Sequence, residues 1–322
     1  MTGLRLVLSA LLITVAAMET AGARTVITPS PTHANIAYAP AEPAHSQGHL
    51  LDLYLPATAA KPVPVVIWTG GSGWKSDNGK ATAGLVAAQL NPAGLAVAGV
   101  SIRSSTQTTF PGQLHDIKAA IRWLRGNAAS YNLDPDHIGI MGESSGGWTA
   151  AMAAVTEDKP ELEGKFGTLG VSSAVQAAVA FYPPTDFLAM DDHDRATSPE
   201  SRLIGSALQT CPEKARAASP ARYVTGKEPP IMILHGELDQ DVPHNQGELL
   251  YEALKKACDE AVFISLPKAG HGPSNDFLTS DAIREGATIR STSATGCKVT
   301  NPTPFIPTWG TVIEFLNRHL RG

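Results

Sequence analysis

A serine between glycines is the first feature of the sequence that could do chemistry. Ser144 lies in Gly142-Glu143-Ser144-Ser145-Gly146-Gly147, which has the pattern G-x-S-x-G. The apolar run 138–141 before it predicts a buried strand, and the small-residue run 148–154 after it predicts a closely packed helix. A serine in a sharp strand-to-helix turn needs neighbours without Cβ, because the two elements would otherwise collide. The pattern therefore predicts a nucleophile at Ser144, with a helix N-terminus beside it that favours an oxyanion.

A serine hydroxyl needs an adjacent base, and the base needs a third group to orient it. His271 has glycine on either side and follows an apolar run, which suits a loop that reaches toward Ser144. Asp239 lies in the turn after another buried strand, so serine, acid and histidine occur in a known chain order for such triads. Asp241 is the alternative acid. His235, which ends the strand before the acid, is interpreted as structural.

The elements around these residues alternate between strands and helices. An edge strand is predicted at 49–56, with Leu51, Leu53 and Leu55 inward. The remaining predicted elements are buried strands at 62–68, 95–102, 138–141, 175–182, 230–235 and 261–266, and helices at 111–128, 245–257 and 309–320. This alternation predicts an α/β fold with a mostly parallel sheet and helices on both faces.

Two polar stretches interrupt the alternation, at 185–228 and 272–308. Both leave the carboxyl ends of predicted strands, where open α/β sheets bind ligands. They are interpreted as site-shaping insertions in a single domain spanning 24–322, with plain surface loops as the alternative.

Length and composition indicate an ordinary soluble globular protein, long enough for one large α/β domain. It has 322 residues, of which 43% are hydrophobic, and a net charge of −5. This mild acidity gives no reason to expect nucleic acid or an anionic membrane as a partner.

Residues 1–23 predict a secretory signal peptide, with Arg5 before an apolar stretch and Ala21-Gly22-Ala23 as the cleavage site. The mature protein is then expected from about Arg24, secreted or periplasmic, and without a membrane span; an uncleaved anchor is the alternative.

The three cysteines are Cys211, Cys258 and Cys297. In an oxidising compartment two of them can pair, and a bridge between Cys258 and Cys297 is preferred because it would tie down the segment that contains His271. Spacing alone does not fix this connectivity. The Cys and His spacings do not match a zinc site, so we expect neither a metal nor a cofactor.

Beyond these patterns, residues from about Leu51 to Leu320 resemble the α/β-hydrolase superfamily. Within it, the chain is similar to esterases with an H-G-G-G-W oxyanion loop, which include hormone-sensitive-lipase-like carboxylesterases, acetylxylan and feruloyl esterases, and arylformamidases. The segments that carry the resemblance are TGGSGW, FPGQLHDIKAAIRWLR, GESSGG, and HGELDQDVP followed by AGHG. The last pair favours the feruloyl/acetylxylan esterase and dienelactone-hydrolase group. The resemblance implies an α/β-hydrolase fold with about eight strands.

The oxyanion loop departs from the family pattern because it lacks the histidine. Matched from the strand, Thr69 replaces that histidine and Gly70 and Gly71 donate; matched from Trp74, Gly70 replaces it and Gly71 and Ser72 donate. Gly71 is a donor in both alignments, and we expect it to act beside the backbone N–H of Ser145.

Two tryptophans directly follow the oxyanion segments. Trp74 and Trp148, with Gly70, are predicted to contact substrate; a packed core indole is the alternative, and for Trp148, on the helix, it is the more typical role. Glu143 could tune His271 or face water.

Together these patterns predict a secreted serine hydrolase that cleaves small-molecule or polymer-linked carboxylic esters through an acyl-enzyme. The alternatives are a peptidase or amidase of the prolyl-oligopeptidase-like or arylformamidase-like branch, and a catalytically silent binding protein with the same fold.

Overall fold

One mixed sheet organises the residues that the computed structural model describes, which are 28–57, 61–190 and 195–321. The predicted signal peptide lies outside them. Within these ranges the strands are β1 His33–Ala37, β2 Leu50–Tyr54, β3 Val63–Thr69, β4 Ala96–Val100, β5 Leu133–Glu143, β6 Ala177–Phe181, β7 Ile231–Gly236, β8 Ala261–Leu266, β9 Thr288–Ser293, β10 Lys298–Val299 and β11 Thr303–Pro304. Their order across the sheet is β1-β2-β4-β3-β5-β6-β7-β8-β9-β10, and β11 also pairs with β9.

The central strands, from β4 to β8 in this order, pair in parallel. Apart from the polar first part of β5 at 134–137, they are mostly apolar and buried, as strands covered on both faces must be. Parallel pairing brings the carboxyl ends of β3, β5, β7 and β8 to the same edge, where open α/β sheets bind ligands. The predicted mostly parallel sheet is confirmed.

Helices cover both faces of the sheet, as predicted. In the described residues they are α1 Ala83–Leu90, α2 Gly112–Gly126, α3 Ser145–Val155, α4 Pro199–Ile204, α5 Pro212–Ala217, α6 Asn245–Ala257, α7 Asp276–Thr279, α8 Asp281–Arg284 and α9 Trp309–Leu320. The apolar sides of α2, α3 and α6 share one core cluster, and those of α1 and α9 share the other. None of the helices in the described ranges is long and apolar enough to cross a bilayer.

The first strand corrects the prediction for the sheet edge. β1 lies in a Pro/Thr-rich stretch that was not expected to form a strand, and it pairs antiparallel with β2. β2 is therefore an inner strand, with Leu51 and Leu53 fully buried. The residues of β1 are mostly exposed and do not alternate between apolar and polar, so the sequence does not predict this strand. It is recognised only by its pairing with β2. Helix α1, between β3 and β4, was also not predicted.

The two insertions differ in what they build. Residues 185–228 contain α4, α5 and several single turns, whereas 272–308 contain α7 and α8 and add β9, β10 and β11 to the sheet. Because β9 pairs antiparallel with β8, the predicted last core strand is followed by another. A disulfide joins Cys258 and Cys297, which confirms the preferred pairing, and Cys211 is a free thiol.

Candidate active site

The turn between β5 and α3 holds Ser144 in a conformation that serine rarely adopts, with φ 55° and ψ −122°. Glycines make this turn possible. A Cβ on Gly146 would lie 2.0 Å from the Thr69 carbonyl oxygen, and one on Gly142 would lie 2.2 Å from the Gly146 carbonyl oxygen. Strand, turn and helix thus meet closely, and the Ser144 side chain projects from the carboxyl edge of the sheet into a cavity.

The structure brings together the three side chains predicted to form a triad. His271 Nε2 lies 2.9 Å from Ser144 Oγ, and His271 Nδ1 lies 2.8 Å from Asp239 Oδ2 and 3.1 Å from Oδ1. With Nδ1 protonated toward the carboxylate, Nε2 can accept the serine proton. The alternative acid, Asp241, is exposed and contributes its main-chain N–H to Asp239 Oδ1 at 3.0 Å.

The Asp239 carboxylate is buried and held by several donors. The Val242 N–H donates to Oδ1 at 2.9 Å, and His235 Nε2, which donates to the Val242 carbonyl at 3.0 Å, lies 3.5 Å from Oδ2. Burial alone would raise the pKa of Asp239. The nearby His235 imidazole, together with the hydrogen bonds from His271 and the Val242 N–H, outweighs burial and holds the pKa well below its ordinary value. Asp239 therefore stays ionised through the mildly acidic range.

The glycine-rich loop after β3 packs its backbone against the turn that carries Ser144. A Cβ on Gly71 would lie 2.6 Å from Ser144 Cβ, so this position requires glycine. The Ser72 N–H donates to Ser145 Oγ at 2.9 Å, and the Gly70 N–H donates to the Gly79 carbonyl at 2.8 Å. The N–H groups of Gly70 and Ser72 thus already donate to acceptors within the protein, which argues against their predicted role as oxyanion donors. Gly71 and Ser145 both line the cavity beside Ser144.

A cavity of ≈ 520 Å³ opens over Ser144 and His271. Its wall combines apolar and charged side chains, and both insertions contribute to it. The described residues that line it are Gly71, Ser72, Gly73, Trp74, Lys75, Glu143, Ser144, Ser145, Tyr182, Pro184, Pro199, Glu200, Asp241, Val242, His271, Gly272 and Pro273. The second insertion reaches the cavity through its first residues, Gly272 and Pro273, while its strands lie at the edge of the sheet.

The structure contradicts two of the predicted substrate contacts, Trp148 and Gly70. Trp148 is 0% exposed and its indole N–H donates to the Ala218 carbonyl at 2.7 Å, so it is a core residue. Its place on the inner side of α3 explains this. Gly70 lies in a small recess next to the cavity, and its amide is turned to Gly79. Trp74 does line the cavity, with its ring edge-on to Trp148 at 5.3 Å.

Two buried side chains lie near the triad. His235, interpreted from the sequence as structural, is fully buried and lies 3.5 Å from Asp239 Oδ2; Tyr182 was not predicted to be near the site, yet its ring lies 4.7 Å from the His271 ring. Both residues lie at the carboxyl end of a parallel strand, and this position in the sequence could have predicted that they lie near the site. No group of His, Cys, Asp and Glu in the described ranges could hold a metal ion.

Known esterases are similar to this chain in sequence. The BD-FAE family model matches residues 51–254. Among curated proteins, esterase LipQ of Mycobacterium tuberculosis is 32% identical over 69% of this chain and 54% of its own length, and esterase LipC of the same organism is 29% identical over 72% and 57%. The chain thus spans about half the length of these relatives.

Solved structures of esterases share the fold. A truncated carbohydrate esterase from gut microbiota is 37% identical, with a TM-score of 0.71, covering 76% of this chain and 90% of that one. Thermogutta terrifontis esterase 2, phosphonylated by sarin, is 27% identical with a TM-score of 0.63, covering 76% and 87%.

Proposed function

The chain belongs to the BD-FAE family of α/β-hydrolase esterases, and from this premise we propose that it hydrolyses carboxylic esters through an acyl-enzyme on Ser144. The observation that carries the proposal is the continuous hydrogen-bonded row from Ser144 Oγ through His271 to Asp239, which opens on the cavity. Esterases among the relatives and the solved structures support the same reaction class.

In the first half of the reaction, Ser144 Oγ attacks the ester carbonyl while His271 Nε2 takes the hydroxyl proton. The carbonyl oxygen becomes an oxyanion, and we assign the backbone N–H groups of Gly71 and Ser145 as its donors because both residues line the cavity beside Ser144. Ser145 is the first residue of α3, so its N–H has no acceptor within the helix. His271 then gives its proton to the leaving alkoxide, and the acyl group remains on Ser144.

In the second half, His271 takes a proton from water as the water attacks the acyl-enzyme, and the acid product leaves when the proton returns to Ser144. Asp239 remains ionised throughout, holds the Nδ1–H tautomer, and stabilises the imidazolium that forms in each half.

The alcohol part of the substrate is proposed to be a carbohydrate. A solved relative is described as a carbohydrate esterase and another as a bifunctional GH43-CE protein. Lys75, Glu200 and Asp241 in the cavity wall offer the charged donors and acceptors that bind hydroxyl groups well.

The protein is proposed to act outside the cytoplasm, after removal of residues 1–23. The signal-peptide pattern supports this, and so does the Cys258–Cys297 disulfide, because such bonds persist in oxidising compartments.

The test compares wild type with Ser144→Ala on p-nitrophenyl acetate. We expect a fall in kcat of about 10⁴-fold or more, because the nucleophile is gone. Ser130→Ala, at an exposed position, is the matched control and should keep wild-type turnover. Wild-type turnover by folded Ser144→Ala would refute the mechanism. A second assay distinguishes a carbohydrate esterase from an amidase. We expect the protein to release acetate from acetylated xylan faster than it hydrolyses the amide p-nitroacetanilide.

A further inference from the structure

Glu143, directly before the serine, connects two segments that are far apart in sequence. Its Oε2 accepts a hydrogen bond from the Tyr182 hydroxyl at 2.8 Å and another from the Ser274 main-chain N–H at 3.2 Å. Tyr182 follows β6, and Ser274 lies three residues after His271 in the same loop. One carboxylate thus ties the nucleophile turn to the loop that carries the base.

Tyr182 makes the connection to the imidazole itself. Its ring lies 4.7 Å from the His271 ring and 5.2 Å from the Phe277 ring, and the side chain is 1% exposed. A Cβ on Gly272 would lie 3.3 Å from the Tyr182 hydroxyl oxygen, so the histidine loop passes close to this group. The ring therefore packs against one side of His271, while Glu143 fixes the far end of the tyrosine.

The Tyr182 hydroxyl remains a donor over the working pH range. Burial raises its pKa well above the ordinary value, and the nearby Glu143 charge raises it further. A hydrogen bond from a hydroxyl to a carboxylate is charge-assisted and stronger than a neutral one. Tyr182 also adopts a positive φ of 37°, a conformation that is costly for a tyrosine and that the surrounding contacts must maintain.

We propose that Glu143 and Tyr182 form a positioning pair that holds the His271 ring in line between Asp239 and Ser144. The pair does not react with substrate; it restricts the imidazole and its loop from two directions. Asp239 holds Nδ1, the tilted Tyr182 ring packs beside the imidazole, and Glu143, through Ser274, holds the backbone beyond the ring. This inference rests on the proposed esterase mechanism, since His271 matters here as the base.

The test measures kcat and KM for p-nitrophenyl acetate in wild type, Glu143→Ala, Glu143→Gln, Tyr182→Phe, and the Glu143→Ala/Tyr182→Phe double variant. Glu143→Ala should lower kcat about 10²-fold with KM changed less than about threefold, because a displaced base slows chemistry without removing substrate contacts. Glu143→Gln keeps an acceptor oxygen and should recover kcat to within about tenfold of wild type. Tyr182→Phe keeps the ring and should lose about tenfold.

The double variant identifies the pair as a unit. We expect its kcat to equal that of Glu143→Ala within about twofold, because the hydroxyl acts through the Glu143 carboxylate and loses this charged acceptor in either case. The proposal would be overturned if the kcat losses of the two single variants multiplied in the double variant, or if Glu143→Ala kept a wild-type kcat.

Glu314→Ala and Tyr131→Phe, away from the cavity, are the matched controls. Circular dichroism and a thermal melt of each variant distinguish a misfolded protein from a folded one in which His271 is displaced. If Glu143→Ala does not fold, Glu143→Gln and Tyr182→Phe still test the proposal.

The same assay separates this inference from the proposed function. Absence of hydrolysis by wild type, or wild-type hydrolysis by Ser144→Ala, refutes the proposed function itself. Hydrolysis that depends on Ser144 but not on Glu143 refutes the positioning pair alone.

Discussion

The serine side and the acid side of the site are built in different ways. The serine side consists of backbone in close contact, where Gly71, Gly142 and Gly146 leave no room for a Cβ. The acid side consists of side-chain and main-chain hydrogen bonds that converge on the buried Asp239. The first arrangement tolerates no added volume, whereas the second depends on donors and charge. Substitutions on the two sides should therefore fail for different physical reasons.

The largest effect is expected on the acid side, from Asp239→Asn. The amide can keep the shape of the site, but it favours the wrong imidazole tautomer and cannot stabilise the imidazolium, so kcat should fall about 10⁴-fold. The measurement is kcat for p-nitrophenyl acetate, with a thermal melt to show that the variant is folded. Asp241→Asn is the comparison, because Asp241 was the alternative acid, and it should stay within about tenfold of wild type. A loss at Asp241 as large as that at Asp239 would contradict the assignment.

The next effect tests the serine side through Gly146→Ala. The new methyl group would need a place 2.0 Å from the Thr69 carbonyl oxygen, which is backbone and cannot rotate away. We expect the free energy of unfolding to fall by about 3 kcal/mol, with loss of activity as Ser144 and its neighbours move. Gly126→Ala is the matched control, since its nearest neighbour would be an ordinary contact at 3.4 Å. Denaturant unfolding measures both, and equal stability in the two variants would show that the close approach is not required.

The smallest effect concerns the pH dependence of stability. The pKa of Asp239 is lower in the folded protein than in the unfolded chain, where it is about 3.9. The carboxylate therefore contributes stability above that pH, and the contribution is lost as the pH falls from about 4 toward the folded-state pKa. Unfolding free energies measured between pH 5 and about 2 should fall more steeply in wild type than in Asp239→Asn. Asp136→Asn, at an exposed carboxylate, should keep the wild-type slope.

The residues of the triad could be predicted from the sequence because each lies within a few residues after an apolar run. Glycine flanks Ser144 and His271, and the chain order of serine, acid and histidine is that of the fold. Helices α6 and α9 begin and end at the predicted residues, since their apolar periodicity is regular. Where the local pattern is strong and the tertiary structure agrees with it, the prediction holds.

Other features depend on contacts between distant segments and were out of reach. β1 is a strand only because β2 offers it a partner, and its own residues are mostly exposed. Trp148 could face either substrate or core until the direction of α3 was known. His235 and Tyr182 reach the triad because β5, β6 and β7 are neighbours in the sheet, and spacing in the chain does not reveal that neighbourhood.

In the proposed reaction Ser144 is the nucleophile, and covalent labelling can identify the nucleophile without any substrate assay. The protein is treated with a fluorophosphonate, and intact mass and peptide mass spectrometry locate the adduct. We expect one adduct per chain, on the peptide that carries Ser144. The adduct should be absent from Ser144→Ala and should form much more slowly in Asp239→Asn, because the base is misoriented. An adduct on a different residue, or ester turnover that persists while Ser144 remains unlabelled, would contradict this assignment of the nucleophile.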